Sequence, residues 1–144
     1  MLFDNSRFTG SWRFMIYPEA GTTPGHSLGT LCTDGSVITS PPAVEEFPPH
    51  PTGVVHVSTG HGAWAPAGDG EAVLTFMAQA SGGDGSFVGV GTVDARLELA
   101  LDGDSFQGTY EFAMADIEGT VFATEQGTVR GTRITVNALV TAVR

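Results

Sequence analysis

The sequence predicts an all-β fold, specifically an antiparallel up-and-down β-barrel of about eight strands. The main observation is the stretch of residues 86–115, in which two alternating runs are joined through Asp102-Gly103. In the first run Leu97 and its neighbours at every second position are apolar, and after the turn the same period of two resumes around Phe112. Asp-Gly between two such runs is typical of a tight hairpin, because glycine tolerates the positive φ that the turn needs.

Two further observations support a closed all-β architecture. Turn signals separate short β-type runs along the whole chain, and no long segment carries an apolar stripe at helical spacing. A two-sheet sandwich remains the alternative, because its strands look the same in sequence. Gly108, Gly127 and Gly131 lie inside otherwise continuous β runs, and glycines at such positions favour a barrel, whose strands bend sharply at corners.

The first half of the chain is predicted to form a meander of short strands. These strands cover residues 10–17, 26–33, 37–39 and 54–59. Pro18 ends the first strand, and Asp34-Gly35 forms the turn that closes the second.

Residues 40–53, SPPAVEEFPPHPTG, interrupt this meander. Five of the eight prolines lie here, and proline cannot donate to a ladder in a central strand. Loops of this length in a compact domain are often lids or functional connections, and the alternative is a surface crossover that only links two strands. In either case Phe47 is an apolar residue available to cover something.

The second half is predicted to be almost continuous β-ladder, because no proline follows Pro66. A strand over residues 71–81 leads through Gly82-Gly83-Asp84-Gly85 into the central hairpin. After the hairpin we expect a strand over 120–127, a further run through Arg130 and a last strand over 133–143.

Composition and charge bound the function. At 144 residues the chain is expected to form one domain, over 1–144, with a real hydrophobic core. The formal net charge is −10, so the surface repels phosphate, and we expect neither a nucleic-acid partner nor an anionic membrane. All the basic residues are arginines, and the absence of lysine excludes Schiff-base catalysis and a Walker lysine.

The sequence also predicts a cytoplasmic protein. Cys32 is the only cysteine, so no intramolecular disulfide can form, and we interpret it as a small buried hydrophobe. The first residues, MLFDNSRFTG, have neither a basic start nor an apolar core of signal-peptide length. No stretch approaches the roughly 18 apolar residues of a membrane helix.

One short motif resembles the calycin superfamily of lipocalin-like barrels. Gly10-Ser11-Trp12 opens the first strand, and Arg130 or Arg133 lies near the last. The resemblance implies that the arginine covers the indole face of Trp12 and bridges the first and last strands where the barrel closes. Two features depart from that family: the end of the chain, ITVNALVTAVR, has β rather than helical character, and the proline-rich insertion is long.

The chain is also similar in general type to the small allene-oxide-cyclase-like barrels, which include cofactor-free cyclases of bacterial polyketide pathways. The similarity lies in length, glycine and threonine content and barrel pattern, with no motif that matches residue by residue. It implies a hydrophobic, polyketide-like substrate and no cofactor.

No established catalytic signature appears in the sequence. A metal site would combine His50, His56, His61 and Glu71, but their spacing places no ligand pair on one face, and we interpret the histidines as surface or supporting residues. The glycine-rich turn at 82–85 precedes a strand, so it is not a phosphate loop. We therefore expect no metal and no cofactor.

An eight-stranded barrel encloses either packed side chains or one small ligand. The side chains expected to line or close such an interior, or to orient a ligand there, are Trp12, Phe14, Tyr17, Phe47, His56, Phe76, Met77, Phe112, Met114 and Glu125. The predicted catalytic residues are Tyr110, His61 and Trp64, with tyrosine or histidine as the hydrogen-bond donor to a carbonyl.

Two functions remain in competition. One is a cofactor-independent cyclase or isomerase that holds a hydrophobic, polyketide-like molecule in a reactive conformation. The other is a non-catalytic, lipocalin-like carrier of such a molecule. The acidic surface and the long loop in the first half also permit a homo-oligomer.

Overall fold

A computed structural model describes residues 7–137 as ten β-strands in a single antiparallel sheet. The strands are β1 (Gly10–Pro18), β2 (Gly25–Leu31), β3 (Ser36–Ser40), β4 (Val44–Glu46), β5 (Val54–Val57), β6 (Gly60–Gly68), β7 (Glu71–Ser81), β8 (Phe87–Leu99), β9 (Ser105–Ala115) and β10 (Val121–Arg133). The described chain contains no helix with the length and apolar character needed to cross a membrane.

Eight of these strands close into a barrel. Their order around the wall is β1, β2, β3, β6, β7, β8, β9 and β10, and β10 pairs with β1 to complete the ring. At that seam Phe14 lies opposite Gly131, and Ile16 lies opposite Val129. This strand order confirms the predicted fold class, an all-β up-and-down barrel of about eight strands. Closure leaves the eight strands of the wall without an exposed edge.

The remaining two strands form a hairpin inserted between β3 and β6. β5 pairs with the end of β7, where Val57 lies opposite Ala80, and β4 pairs with the free side of β5. β4 falls inside the proline-rich segment, which the sequence predicted to be loop throughout. Three residues of strand fit there because Val44, Glu45 and Glu46 are flanked by prolines and contain none.

The barrel has a closed end and a mouth. The turns at 32–35, 69–70 and 100–104 lie at the closed end, and the segments 19–24, 41–59, 82–86 and 116–120 surround the mouth. Buried side chains fill the closed end: Phe8, Trp12, Leu31, Val37, Trp64, Leu97, Leu99 and Phe106. Because these side chains are closely packed, the half of the interior nearer the mouth is the more solvent-accessible one.

Arg133 fastens the closed end. Its guanidinium carbon lies 4.3 Å from the centre of the Trp12 ring, and its nitrogens donate to the carbonyl oxygens of Arg7, Thr9 and Gly103. The sequence left Arg130 and Arg133 as alternatives for this contact. Arg130 instead lies on the outer wall, 5.9 Å from the ring centre of Tyr17.

Aromatic rings lie flat along the inner wall over glycines of neighbouring strands. A Cβ at Gly131 would lie 2.1 Å from the Phe106 ring, and one at Gly127 would lie 3.0 Å from the Tyr110 ring. Phe14 covers Gly29 in the same way. At Gly29 and Gly131 a ring already occupies the space of a side chain, as in aromatic rescue of sheet glycines. At Gly127 a Cβ would also lie 2.2 Å from the Tyr17 carbonyl oxygen.

Three sequence predictions of strand extent are corrected. β10 is one strand from Val121 to Arg133, not separate runs, because its glycines lie under rings while the backbone ladder to β9 continues. Residues 134–137 are not strand, and 138–143 of the predicted last strand lie outside the described residues. Leu101, expected on the apolar face, is fully exposed because the turn begins before it.

Candidate functional site

The half of the interior nearest the mouth is apolar but not sealed. Ile16, Phe76, Val93, Ala95 and Phe112 point inward and pack against the core, yet each is only half-buried. By contrast, the corresponding residues of the closed end are buried. Apolar surface that water still reaches inside a barrel is a natural place for an apolar ligand.

The β4–β5 hairpin covers this region, and we refer to residues 44–57 as the lid. Val55 on its inner face is buried against Ala80 and Met114 of the barrel. At the other side of the lid the Phe47 ring meets Phe122 of β10 edge to face, with ring centres 6.1 Å apart. The lid thus contacts strands on two different sides of the mouth.

The lid carries a carboxylate toward the barrel. Glu45 lies opposite Val55 in the hairpin, so its side chain lies on the same inward face. The residue as a whole is solvent-accessible, but protein atoms around its carboxyl displace part of the water. This desolvation raises the pKa of Glu45, and the negative charge of Glu125 raises it further.

Tyr110 and Glu125 form the polar group beneath the lid. The Tyr110 hydroxyl donates a hydrogen bond to Glu125 Oε2 at 2.8 Å. The ring is buried against the wall, so burial raises the pKa of Tyr110, and the hydrogen bond and charge of Glu125 act in the same direction. The phenol therefore remains a proton donor throughout the physiological pH range.

Together these three groups can perform acid–base chemistry beside an apolar surface. Glu125 offers a carboxylate oxygen as proton acceptor, Tyr110 offers a hydroxyl, and Glu45 takes up a proton more readily than an ordinary glutamate. Carboxyl groups and a hydrogen-bond donor placed beside the substrate are what a proton-transfer isomerisation needs. Sequence reasoning missed Glu45, because it lies in a segment whose prolines concealed a strand.

Several predicted binding residues do point into the barrel. Trp12 and Phe14 lie in the buried core toward the closed end, Phe76 and Phe112 line the half near the mouth, and Met114 packs beneath the lid. Phe47 and Glu125, described above, join them at the mouth. The structure therefore brings Phe47, Phe76, Phe112, Met114 and Glu125 to the same region as Tyr110.

Other predicted site residues face outward. His61 lies opposite Met77 on the outer wall, where Met77 is 53% exposed, and Tyr17 lies on the outer wall of β1 beneath Arg130. His56 is exposed on the lid. The reason for the His61 position is the strand period: the inward positions of β6 are its flanking glycines, Gly60 and Gly62.

Trp64, also predicted as catalytic, lies in the closed end. Its indole N–H donates to the Cys32 carbonyl at 2.8 Å, and its ring centre lies 6.2 Å from that of Phe8. Both contacts belong to the turns and packing opposite the mouth. The structure therefore does not bring Trp64 or His61 together with Tyr110.

The residues considered as metal ligands do not converge. Among residues 7–137 no three histidine, cysteine, aspartate or glutamate side chains lie close enough to hold a metal ion. His50 bonds to Thr52 within its own loop, while Glu71 pairs with Arg96 on the outer wall. His56 and His61, the other two residues in that set, are exposed.

Comparison with known proteins identifies no relative. No family model, no curated protein and no solved structure matches the chain. The closed antiparallel barrel agrees with a calycin-like architecture at the level of fold.

Proposed function

We propose that this protein is a cofactor-independent isomerase or cyclase that acts on a hydrophobic, polyketide-like small molecule bound in the mouth half of the barrel. The observation that carries the proposal is the Tyr110–Glu125 hydrogen bond, at 2.8 Å, next to half-buried apolar side chains and beneath a lid bearing Glu45. A cytoplasmic location is part of the proposal and rests on the sequence alone.

The apolar wall supplies binding and conformation. Phe76, Val93 and Phe112 offer the substrate a surface that excludes water on one side. A flexible chain held against this surface loses most of its unproductive conformations, which lowers the entropic barrier to ring closure or rearrangement. This contribution needs no ionisable group and serves a cyclase and an isomerase equally.

The polar groups supply proton transfer. Glu125 accepts a proton from an acidified C–H of the substrate, and Glu45 in its neutral form delivers a proton to the other end of the shifting double bond. When the substrate binds, the Tyr110 hydroxyl exchanges its hydrogen bond to Glu125 Oε2 for one to the substrate oxygen on which negative charge develops, and this leaves the Glu125 carboxylate free to act as the base. Both carboxyl groups then return to their starting states by exchange with solvent, because both side chains are solvent-accessible.

A direct test incubates the purified protein with an apolar extract or a polyene precursor and follows the mixture by chromatography and mass spectrometry. A new compound of unchanged mass, formed at substoichiometric protein, would establish catalysis. Retention of a compound that never changes would instead support the lipocalin-like carrier, which the half-buried apolar wall equally favours. If the protein neither binds nor converts any compound, the result contradicts both the enzyme and the carrier.

The Tyr110→Phe variant tests the role of the hydroxyl once a substrate is in hand. We expect kcat to fall by about 10²-fold, as when one transition-state donor is removed, and affinity to change by less than about threefold. Tyr17→Phe is the matched control, because Tyr17 lies on the outer wall. Equal losses in turnover and binding for Tyr110→Phe would reject this role.

A further inference from the structure

The inner wall of the barrel carries a buried hydroxyl with no partner. Thr39 of β3 is 1% exposed, and its Oγ1 makes no hydrogen bond with any of the described residues. Buried polar atoms are almost always hydrogen-bonded, and leaving one unsatisfied destabilises the fold. The Thr39 hydroxyl is therefore a candidate group for binding a ligand.

The position of Thr39 on the barrel wall is consistent with a ligand-binding role. In the order of the barrel wall, three strands lie between β3 and β9 in either direction, so Thr39 lies on the wall opposite Tyr110. Thr39 points inward, since it pairs with the inward glycines Gly29 and Gly60. The hydroxyls of Thr39 and Tyr110 therefore lie on opposite sides of the interior.

The Phe76 ring lies beside the Thr39 hydroxyl on the inner wall. A Cβ at Gly60 would lie 2.1 Å from Thr39 Oγ1 and 2.9 Å from the Phe76 ring, so the two side chains meet over this glycine. Phe76 itself is half-buried and lines the mouth half. A side chain that lines the mouth half is therefore the neighbour of the buried hydroxyl.

The charges around the mouth restrict which group can bind there. The mouth segments 19–24, 41–59, 82–86 and 116–120 contain carboxylates and no arginine. In a chain of net charge −10, this rim repels an anionic ligand as it enters. The ligand atom that pairs with Thr39 is therefore not part of an anionic group.

We propose that Thr39 is the interior anchor of the ligand and that the ligand is a neutral, apolar molecule with a ketone oxygen. On entry the ligand turns Phe76 aside, its ketone oxygen accepts a hydrogen bond from Thr39 Oγ1, and its other end lies toward Tyr110 and Glu125. This inference rests on the proposed function, because it requires a ligand in the mouth half of the barrel.

The test uses two neutral fluorescent probes: the ketone prodan, and its parent dimethylaminonaphthalene, which lacks the ketone. Thr39→Val should weaken prodan binding about fivefold to tenfold, the effect of one lost neutral hydrogen bond, and change binding of the parent by less than about twofold. Thr39→Ser keeps the hydroxyl and should keep the preference. Thr128→Val, on the outer wall, is the matched control.

The ligand-free variant provides an independent readout. Valine replaces the unsatisfied hydroxyl with a methyl group of similar shape, so Thr39→Val should unfold at an equal or higher urea concentration than the wild type. A clear loss of stability would overturn the proposal, because it would mean that Oγ1 already has a partner in the protein.

The binding outcomes separate the two proposals. If the wild type binds both probes and Thr39→Val affects both equally, the anchor is rejected while the apolar site stands. If the wild type binds neither probe, the apolar site of the proposed function is rejected and the anchor with it. A selective loss of prodan binding supports both.

Discussion

Replacing Arg133 tests how the closed end of the barrel is held. In the Arg133→Met variant the apolar stem of the side chain remains over Trp12, while the guanidinium and its hydrogen bonds to the carbonyls of Arg7, Thr9 and Gly103 are lost. Those bonds tie the segment before β1 to the turn between β8 and β9. We expect a large loss of stability, with the barrel still able to form.

The magnitude follows from the number of acceptors and their access to water. A hydrogen bond to a charged group contributes about 1.5–3 kcal/mol, so three carbonyls treated separately would give roughly 4.5–9 kcal/mol. Arg133 keeps 21% of its side chain exposed, so water can reach some of the freed carbonyls. We therefore expect a loss smaller than this sum, about 3–5 kcal/mol.

The assay is urea denaturation followed by circular dichroism, with Arg130→Met as the matched control. Arg130 has only the Tyr17 ring beneath it on the outer wall, so its removal should cost about 0.5–1 kcal/mol. For a chain of this size, a difference of about 3 kcal/mol between the two variants also lowers Tm by roughly 10 °C. Equal losses for both variants, or a loss below about 1 kcal/mol for Arg133→Met, would refute the reasoning.

Two further predictions concern packing and pH. Gly131→Ala should destabilise the fold by about 1–3 kcal/mol, because the added Cβ would lie 2.1 Å from the Phe106 ring. In the double variant, Phe106→Leu should recover part of that loss of stability. If the effects of the two substitutions are purely additive, the steric explanation is contradicted. The pKa of Glu45 is raised in the folded state, so protonation of Glu45 stabilises the folded state relative to the unfolded state. This stabilisation is fully present below the ordinary pKa of 4.5 and is lost as pH rises through the raised pKa. Urea titrations from pH 4 to 7 should therefore show Glu45→Gln gaining stability relative to wild type as pH rises, whereas a pH-independent difference, or an equal trend in Glu46→Gln, would contradict it.

The central hairpin was predictable because both of its determinants are local. Alternation on either side of Asp102-Gly103 specifies two strands and their turn, and the structure has β8 and β9 at those positions. The inward faces of β1 and β7 were predictable for the same reason, since large apolar residues mark them. The fold class therefore followed from the period of two and the spacing of the turns.

The candidate site was less predictable because glycine carries no sign of which way a strand faces. In β6 the inward positions on either side of His61 are Gly60 and Gly62, so the His61 side chain faces outward. Glu45 acquires its position from pairing with Val55, ten residues away, across a proline-rich turn. The directions of His61 and Glu45 cannot be derived from the local sequence pattern, because each depends on strand pairing with distant parts of the chain.

The seam between β1 and β10 has a consequence for how the interior comes into being. The hydrogen bond from Arg133 to the Thr9 carbonyl joins residues 124 apart in sequence, and the full β1–β10 ladder lies beside it. During synthesis the first strand must therefore wait, unpaired on one edge, until β10 has left the ribosome. Folding dominated by such distant pairings is slow, on the order of milliseconds to seconds. The interior is enclosed only after β10 has been translated, so the binding site that we propose does not exist on a nascent chain.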